Sequence, residues 1–342
     1  MVSLVKLLGL SFGRKMQSTE ILVKEALMGA EELGAEVGMI RAHDLNIKPC
    51  TGCVACMQSL FRGGPGRCAI KDDITFLDEQ FMQCDGLILG SPVYVVAPTG
   101  LFKTVADRLG GPSHDVGFRM EAKKIWEASG KQGQPPDERS FKPRVGAFIS
   151  VGGASTPSWL SFGLPLMHLL TFPLSVSIVD QMQITSQSQF GHIAMNDTAL
   201  ERARKMGRRV VETLHQPASN WKWLGDEPGV CPVCHSNLLM LAKRNPVECP
   251  VCGIAGELRI DGGEISVTFS EEEQKRSRLG IHAKLEHWIE LQDNFKLIEA
   301  RMRAEGQTLP AGLGRYDSPS LRAKLEKFEG YREIKTGTPS ST

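Results

Sequence analysis

The start of the chain decides the fold. VSLVKLLGL (residues 2–10) is a short apolar run that predicts a buried strand, and SFGRKMQST (residues 11–19) is a hydroxyl-rich loop leading into a helical pattern over 19–33. A strand, a polar loop and a helix N-terminus in this order suit a phosphate group, because the first N–H groups of a helix point at the anion. The loop matches neither GxxxxGK[ST] nor GxGxxG. An ordinary capped turn therefore remains an open alternative.

Strand and helix patterns alternate through the following residues. The predicted strands cover 35–40, 86–90, 144–151 and 175–184. The predicted helices cover 72–82, 99–109 and 198–214, and Asp73 is a candidate N-cap of the first of these. Such alternation implies an α/β domain over residues 1–215, with a doubly wound parallel sheet covered by helices on both faces.

A segment of about residues 111–143 interrupts this alternation. It is rich in glycine, proline and charge, and it is longer than an ordinary connection in such a sheet. Our first interpretation is a solvated surface excursion. The alternative is a lid or partner arm near a cofactor, carrying His114, Arg119 and Trp126.

Two further loops follow predicted strands, GSPVY (residues 90–94) and VGGAST (residues 151–156). Ligands of open α/β sheets lie beyond the carboxyl ends of the strands, so these loops should share an edge with residues 11–19. Tyr94 offers an aromatic face to a flat ring. Gly152 and Gly153 allow the backbone to approach a ligand closely.

Four cysteines cluster early in the chain. Two residues separate Cys50, Cys53 and Cys56 from one another, and Cys68 follows after eleven more. Three thiolates so spaced can wrap one face of an iron–sulfur cubane, with a fourth from further along. The alternatives are zinc, or reduced cysteines left in a loop.

These segments resemble, in order and spacing, the flavodoxin-like family of NAD(P)H-dependent FMN reductases and iron–sulfur flavoproteins. The resemblance rests on PCTGCVAC (49–56), CAIKDD (68–73), GSPVY (90–94) and residues 103–108, and it covers about residues 2–214. It implies strand order 2-1-3-4-5 with FMN at the carboxyl edge. It also implies a [4Fe–4S] cluster on the four early cysteines, although the gap before Cys68 is longer here than in the compact family motif.

By matching position, the resemblance assigns two sets of residues to FMN. The phosphate set is Ser11, Arg14, Lys15, Gln17, Ser18 and Thr19, and the isoalloxazine set is Pro92, Val93, Tyr94, Val95, Gly152 and Gly153. The implied function is an FMN-dependent oxidoreductase that moves electrons between NAD(P)H or ferredoxin and an acceptor, through FMN and the cluster. The alternatives are a cluster-free NAD(P)H:FMN or quinone reductase, and a non-catalytic electron-transfer or scaffold subunit of a larger redox complex.

A second cysteine set follows near the C-terminal end. Cys231 and Cys234 form one CPxC knuckle, and Cys249 and Cys252 form another after fourteen residues. This spacing predicts a tetrahedral metal site in a module over 228–269, with a hairpin turning at DGG (residues 261–263). The module resembles a zinc ribbon, and a rubredoxin-like iron site is the alternative. We expect a structural role, with His235 as a bystander.

Residues 270–334 form a predicted helical extension. Its apolar residues recur every three or four positions at Ile281, Leu285, Trp288, Leu291, Phe295, Ile298 and Met302. The stripe favours docking onto the protein's own core or onto a sister subunit in a homo-oligomer. A helix that binds a redox protein partner is the alternative.

Composition excludes several classes of function. Lysine and arginine number 40 against 39 aspartates and glutamates, so no basic field predicts nucleic-acid binding. No run of about 18 apolar residues predicts a membrane span. Nine cysteines without a recognisable secretion signal indicate a reducing, cytoplasmic location. Cys84 lies outside both sets, and we expect it to be a small core residue.

Overall fold

The computed structural model describes residues 4–111, 114–187, 191–304 and 306. The chain divides into two compact units, of which the first ends at Glu286 and the second begins at His287. The main strands, all in the first unit, are β1 (Lys6–Ser11), β2 (Glu36–Arg41), β3 (Gly86–Tyr94), β5 (Arg144–Val151) and β6 (Val176–Ile184). They pair in parallel in the order β2-β1-β3-β5-β6. The predicted doubly wound sheet and its strand order are confirmed.

Helices cover both faces of this sheet. One apolar core joins α1 (Ser18–Glu31) and α7 (Asp197–Leu214) to the sheet, and a second joins α3 (Ile74–Gln83), α4 (Gly100–Leu109) and α6 (Gly163–Thr171) to the opposite face. Every residue of β5 is buried, as expected for a strand with helices on both sides. A Cβ atom on Gly207 would lie 1.7 Å from the Ala26 carbonyl oxygen, so this glycine lets α7 touch α1 directly.

The third strand is longer than predicted and ends in a strained hairpin. It runs four residues past Gly90 and pairs with the short antiparallel strand β4 (Ala97–Pro98). The two residues of the turn, Val95 and Val96, have φ of +51° and +72°. Two-residue turns of this hand favour Asn-Gly, and β-branched residues rarely adopt positive φ. The Val95 side chain is 96% exposed at the tip.

The insertion at 111–143 is packed along its first half, where the prediction of a solvated excursion is wrong, and is exposed over residues 127–135. It forms α5 (Val116–Ala128), which begins where Asp115 Oδ1 accepts a hydrogen bond from the Gly117 N–H at 2.8 Å. His114, Phe118 and Arg119 are buried. The Phe118 ring lies 6.4 Å from that of Phe61 in α2 (Ala55–Phe61), so the insertion braces the helix that follows the first cysteines.

The cysteine module and the linker before it cover the β6 edge of the sheet. The Leu224 N–H donates to the Val179 carbonyl of β6 at 2.7 Å, and Gln181 Nε2 donates to the His235 carbonyl at 3.1 Å. The module contains β7 (Val247–Glu248), β8 (Ala255–Asp261) and β9 (Glu264–Thr268), and the last two form the predicted hairpin. An edge strand covered in this way cannot pair with another chain.

The C-terminal extension begins with α8 (Glu271–Lys275) and continues as α9 (Ile281–Ala304). The predicted apolar stripe therefore lies on a helix, and Phe295 and Ile298 in it are each 55% exposed. Residues 307–334 of the predicted extension lie outside the described residues, and the domain boundaries stay a prediction. None of the described helices is both long enough and apolar enough to cross a membrane.

Candidate cofactor and metal sites

The loop between β1 and α1 has the features of an anion cradle. The Gly13 N–H donates to Ser11 Oγ at 3.1 Å, which folds the backbone over the end of the strand. A Cβ atom on Gly13 would lie 2.8 Å from Thr19 Cβ, so the backbone here passes close to the start of the helix. The N-cap residue of α1 is Gln17, and its side chain makes no capping hydrogen bond. The first N–H groups of α1 therefore keep the capacity to bind an anion.

A cleft at the carboxyl edge of the sheet brings together most of the predicted cofactor residues. Eight of the twelve line it, namely Arg14, Gln17, Ser18, Thr19, Pro92, Val93, Tyr94 and Gly153. Three lining residues, Gly13, Val151 and Gln187, were missed from the sequence. Gln187 follows β6, so its position beyond a strand end was the signal that could have identified it.

Two glutamines tie the rim of this cleft together. Ser18 Oγ donates to Gln187 Oε1 at 3.3 Å, and the Gly191 N–H donates to Gln17 Oε1 at 3.1 Å. The segment after β6 is thereby fixed against the start of α1. These two contacts join the first helix of the domain to the segment between β6 and α7.

Four predicted cofactor residues lie outside the cleft lining. The Ser11 side chain is buried below the loop, and Lys15 points to solvent. Val95 is at the exposed tip of the β3–β4 hairpin. A Cβ atom on Gly152 would lie 2.4 Å from Leu160 Cδ2, so Gly152 contacts the protein's own core on that side. None of His114, Arg119 and Trp126 lines the cleft, so these residues of the insertion form no lid over it.

A buried ion pair closes the base of the first cysteine segment. Arg108 donates from Nη1 and Nη2 to the two Asp72 carboxylate oxygens, at 2.7 and 2.9 Å, and neither side chain has exposed surface. Arg108 also donates to the Lys48 carbonyl at 2.6 Å, while Asp72 accepts from the Lys48 N–H at 2.8 Å. One network of charge-assisted hydrogen bonds thus holds together the two ends of the segment 49–71, at Lys48 and Asp72.

The beginning of α3 differs from the prediction in one detail. Asp73 occupies the N-cap position, but its side chain does not cap the helix. Its carboxylate accepts instead from the Asn46 N–H at 2.6 Å, and Asp72 Oδ1 accepts from the Ile74 N–H at 3.1 Å. Asp73, the predicted cap, therefore holds the segment before the cysteines instead of capping α3.

The first cysteine set lies at the surface of this segment. Cys50 and Cys53 are exposed, and Cys56 and Cys68 are half-buried. Hydrogen bonds from the Ala55 backbone and the Thr51 side chain lower the pKa of the Cys53 thiol, and the positive charge of Arg108 adds to the shift. Interaction with Asp72 and with Cys68 raises the pKa of Arg108. One guanidinium therefore acts on two of the four thiols, Cys53 and Cys68.

The second cysteine set is buried and convergent. The four Sγ atoms lie within 4.8 Å of one another, and Cys231–Cys252 and Cys234–Cys249 are separated by 3.7 and 3.4 Å. Thiolates at about 2.3 Å from one zinc ion would be about 3.8 Å apart, so the spacing suits a single tetrahedral metal. Hydrogen bonds from the neighbouring thiols lower the pKa of Cys249. His235 takes no part, because its Nδ1 hydrogen-bonds the Pro228 carbonyl at 2.7 Å.

The sheet order and the cleft at its carboxyl edge define a flavodoxin-like protein. The sequence pattern of the NADPH-dependent FMN reductase family matches residues 6–166. The chain belongs to this family, as the resemblance predicted, and is an FMN-dependent oxidoreductase.

Several known proteins are similar to this chain. Flavone synthase cfoJ of Aspergillus candidus is 30% identical over 308 residues, which span 88% of this chain and 91% of that protein. A solved flavone reductase is 26% identical, with a TM-score of 0.74 over 98% of this chain and 100% of that one. An iron–sulfur flavoprotein of Methanocaldococcus jannaschii is 27% identical over 61% of this chain and 97% of its own length. The first two similarities extend beyond the sheet domain.

Proposed function

We propose that this chain takes electrons from NAD(P)H through FMN and delivers them to a small organic acceptor of the flavone type. The observation that supports it is the cleft at the carboxyl edge, where the uncapped start of α1 meets the loops after β3 and β5. The acceptor class is inferred from the two relatives that extend beyond the sheet domain, whose names are flavone synthase and flavone reductase. Reduced ferredoxin is the alternative donor.

The residues of the cleft fit FMN in two groups. Arg14, Ser18 and Thr19, with the N–H groups of α1, would hold the phosphate by charge and hydrogen bonding. Val93 and Tyr94 on one side and Gly153 on the other would frame the isoalloxazine ring. Bound FMN supplies the ability to take up two electrons together and release them together or singly. The chain's own residues orient the ring and limit its contact with water.

The first cysteine set would hold a [4Fe–4S] cluster. Its donors are four thiols, the ligands such clusters use, and Arg108 lies where it can offset thiolate charge at Cys53 and Cys68. A cluster would take each thiol on a different iron, so the four sulfurs need not converge on one point. The cluster would exchange single electrons with a partner such as ferredoxin.

The second set would hold zinc, with iron as the alternative. Buried thiols at this spacing suit either ion, and the surrounding residues form only a small core, with Ile254 and Phe269 buried beside the cysteines. A metal would supply the stability that this small module lacks. We further propose that the protein works in the reducing cytoplasm, where all nine thiols stay available, and that it forms a homo-oligomer.

Anaerobic purification tests the flavin assignment directly. We expect about one FMN per chain, bleached by NADPH or NADH and restored by 5,7-dihydroxyflavone. Arg14→Ala should weaken FMN binding about tenfold, since one charge-assisted contact is lost. Lys15→Ala is the matched control, because Lys15 lies one residue away and outside the cleft. A protein without flavin would overturn the proposal.

The cluster is tested by iron and acid-labile sulfide. Cys50→Ser should remove both and leave FMN in place. Cys84→Ala is the control, because Cys84 is a buried core residue outside both sets. Absence of iron and acid-labile sulfide from the unmodified protein would leave the cluster-free reductase as the better description, and unchanged iron and sulfide in Cys50→Ser would show that Cys50 is not a ligand.

A further inference from the structure

A large cavity lies between part of the β6 edge and the cysteine module. Its volume is about 760 Å³, within the usual range of small-molecule sites. Residues Gln181–Ile184 of β6 form one side, and residues of the 157–165 segment and the start of α7 form the rim. Residues from 226–238, in the module and just before it, form the opposite side. None of the twelve residues assigned to FMN lines it.

The cavity adjoins the FMN cleft at the ends of β5 and β6. Ile184 of the cavity pairs in register with Val151, which lines the cleft. A Cβ atom on Gly163 would lie 3.0 Å from Val93 Cγ2 of the cleft and 3.4 Å from Gln183 Oε1 of the cavity. Side chains of the two sites therefore meet around one glycine, so a ligand in the cavity would lie next to the predicted ring site.

The charges of the cavity disfavour a phosphate-bearing ligand. Arg202 is the one arginine or lysine among the described lining residues. Its guanidinium already donates to both carboxylate oxygens of Asp180, at 2.9 and 2.5 Å, and its Nε lies 2.5 Å from Asp226. Glu227 adds a further negative charge to the lining. A nicotinamide nucleotide, which carries phosphates, would meet no unpaired cation here.

Neutral polar groups and a rigid wall suit a different ligand. Gln181, Gln183, Ser158 and Ser161 offer amides and hydroxyls among Met182, Leu164 and two prolines. The module side is fixed, because the His235 ring stacks on Trp223 with centroids 3.7 Å apart. The His235 carbonyl also accepts the hydrogen bond from Gln181. Apolar walls with a few positioned polar groups are typical of sites for small organic molecules.

We infer that this cavity binds the organic acceptor, a neutral, flat aromatic compound bearing hydroxyl or carbonyl oxygens, and that the cysteine module forms one wall of the substrate site. The inference rests on the proposed function and locates its acceptor. It gives the second metal site a role in substrate binding, because a metal that folds the module also builds this wall. NAD(P)H would then reach the flavin from elsewhere on the cleft.

Two variants of the FMN-loaded protein test the location. Ser161→Trp should fill the cavity, and Gln183→Leu should remove an amide while keeping its approximate volume. The probe is 5,7-dihydroxyflavone, with its dissociation constant measured by calorimetry, and NADPH is assayed separately by the rate of flavin bleaching. Ser219→Trp is the matched control, because Ser219 is exposed and absent from the cavity lining.

We expect Ser161→Trp to weaken flavone binding by at least about tenfold because it fills the space, and Gln183→Leu by about tenfold because it removes a hydrogen-bonding amide. FMN content and bleaching by NADPH should stay within about twofold, since the cavity lies outside the donor's path. If the unmodified protein reduces the flavone and both variants bind it as Ser219→Trp does, the location is wrong and the proposed function stands. Slowed NADPH bleaching with intact flavone binding would assign the cavity to the donor. Failure of the unmodified protein to bind the flavone would overturn the acceptor class itself.

Discussion

The two cysteine sets have the same number of thiols and opposite surroundings. Cys231, Cys234, Cys249 and Cys252 are buried with their sulfurs within 4.8 Å of one another, whereas Cys50 and Cys53 are exposed on a surface segment. Short knuckles build the first arrangement locally. The other depends on a long-range clamp between Asp72 and Arg108, whose partners lie 36 residues apart. A buried, convergent set of thiols and an exposed cysteine segment therefore depend on different means of support.

The largest effect is expected from breaking the buried set. Cys249→Ser should abolish metal binding and unfold the module, because structural zinc contributes about 10 kcal/mol or more to small metal-dependent folds. Metal analysis and hydrogen exchange over residues 231–254 measure both effects. Cys50→Ser, from the exposed set, is the control and should leave exchange in the module unchanged. Native metal content in the Cys249→Ser protein would show that the buried set does not hold the metal that stabilises the module.

The clamp of the exposed set ranks next. Arg108→Met should cost about 3–5 kcal/mol in the free energy of unfolding, because it leaves the Asp72 carboxylate buried without its partner. Lys103→Met breaks a surface pair with Asp107 on the same helix and should cost at most about 1 kcal/mol. Urea unfolding compares the two. Equal losses would show that the segment does not depend on the clamp.

A smaller effect is expected from His168, which lies in α6 close to Cys234. Burial lowers its pKa from 6.5 to about 4, and its ring packs edge-on against Phe148. Below pH 6.5, His168 becomes protonated in the unfolded chain but stays neutral in the folded protein. The free energy of unfolding is therefore highest above pH 6.5 and decreases as the pH drops towards 4. Between pH 7.5 and 5.0 the loss should be about 2 kcal/mol.

Urea unfolding at these two pH values checks this, with His168→Gln as the comparison. The variant has no imidazole to protonate, so its stability should change less over the same interval by about 2 kcal/mol. If the free energy of unfolding had the same pH dependence in both proteins, the pKa of His168 would not be lowered, and water would reach its side chain.

The smallest expected effect is a difference in thiol reactivity between Cys53 and Cys84, which involves no change in the free energy of unfolding. In protein stripped of metal under native conditions, Cys53 should react first with iodoacetamide at neutral pH, because its pKa is lowered and it is exposed. Cys84 should resist, since burial raises its pKa to about 11. Peptide mass spectrometry over time gives the order. Early labelling of Cys84 would contradict the assignment of Cys84 to the core.

The sequence predicted the sheet and most of the cleft but missed elements that depend on distant contacts. Helix α5 was hidden by the glycine, proline and charge around it, although Asp115 is an ordinary N-cap residue. Helix α6 was missed because its apolar run contains Pro165 and carries no clear periodicity. The Val95–Val96 turn could not be predicted, because its residues oppose the conformation that the surrounding structure imposes.

The chain's own sequence predicted the main strands of the sheet and the convergent Cys₄ site, because apolar periodicity and short ligand spacing act over a few residues, and the resemblance to a known family supplied the strand order. Tertiary structure alone decided the rest. It joined Arg108 to Asp72 beneath the exposed cysteines, placed Gln187 on the cleft, and set the cysteine module against β6 to leave a cavity. These features depend on side chains brought together from distant parts of the chain, and no local pattern records which distant surfaces will pack together.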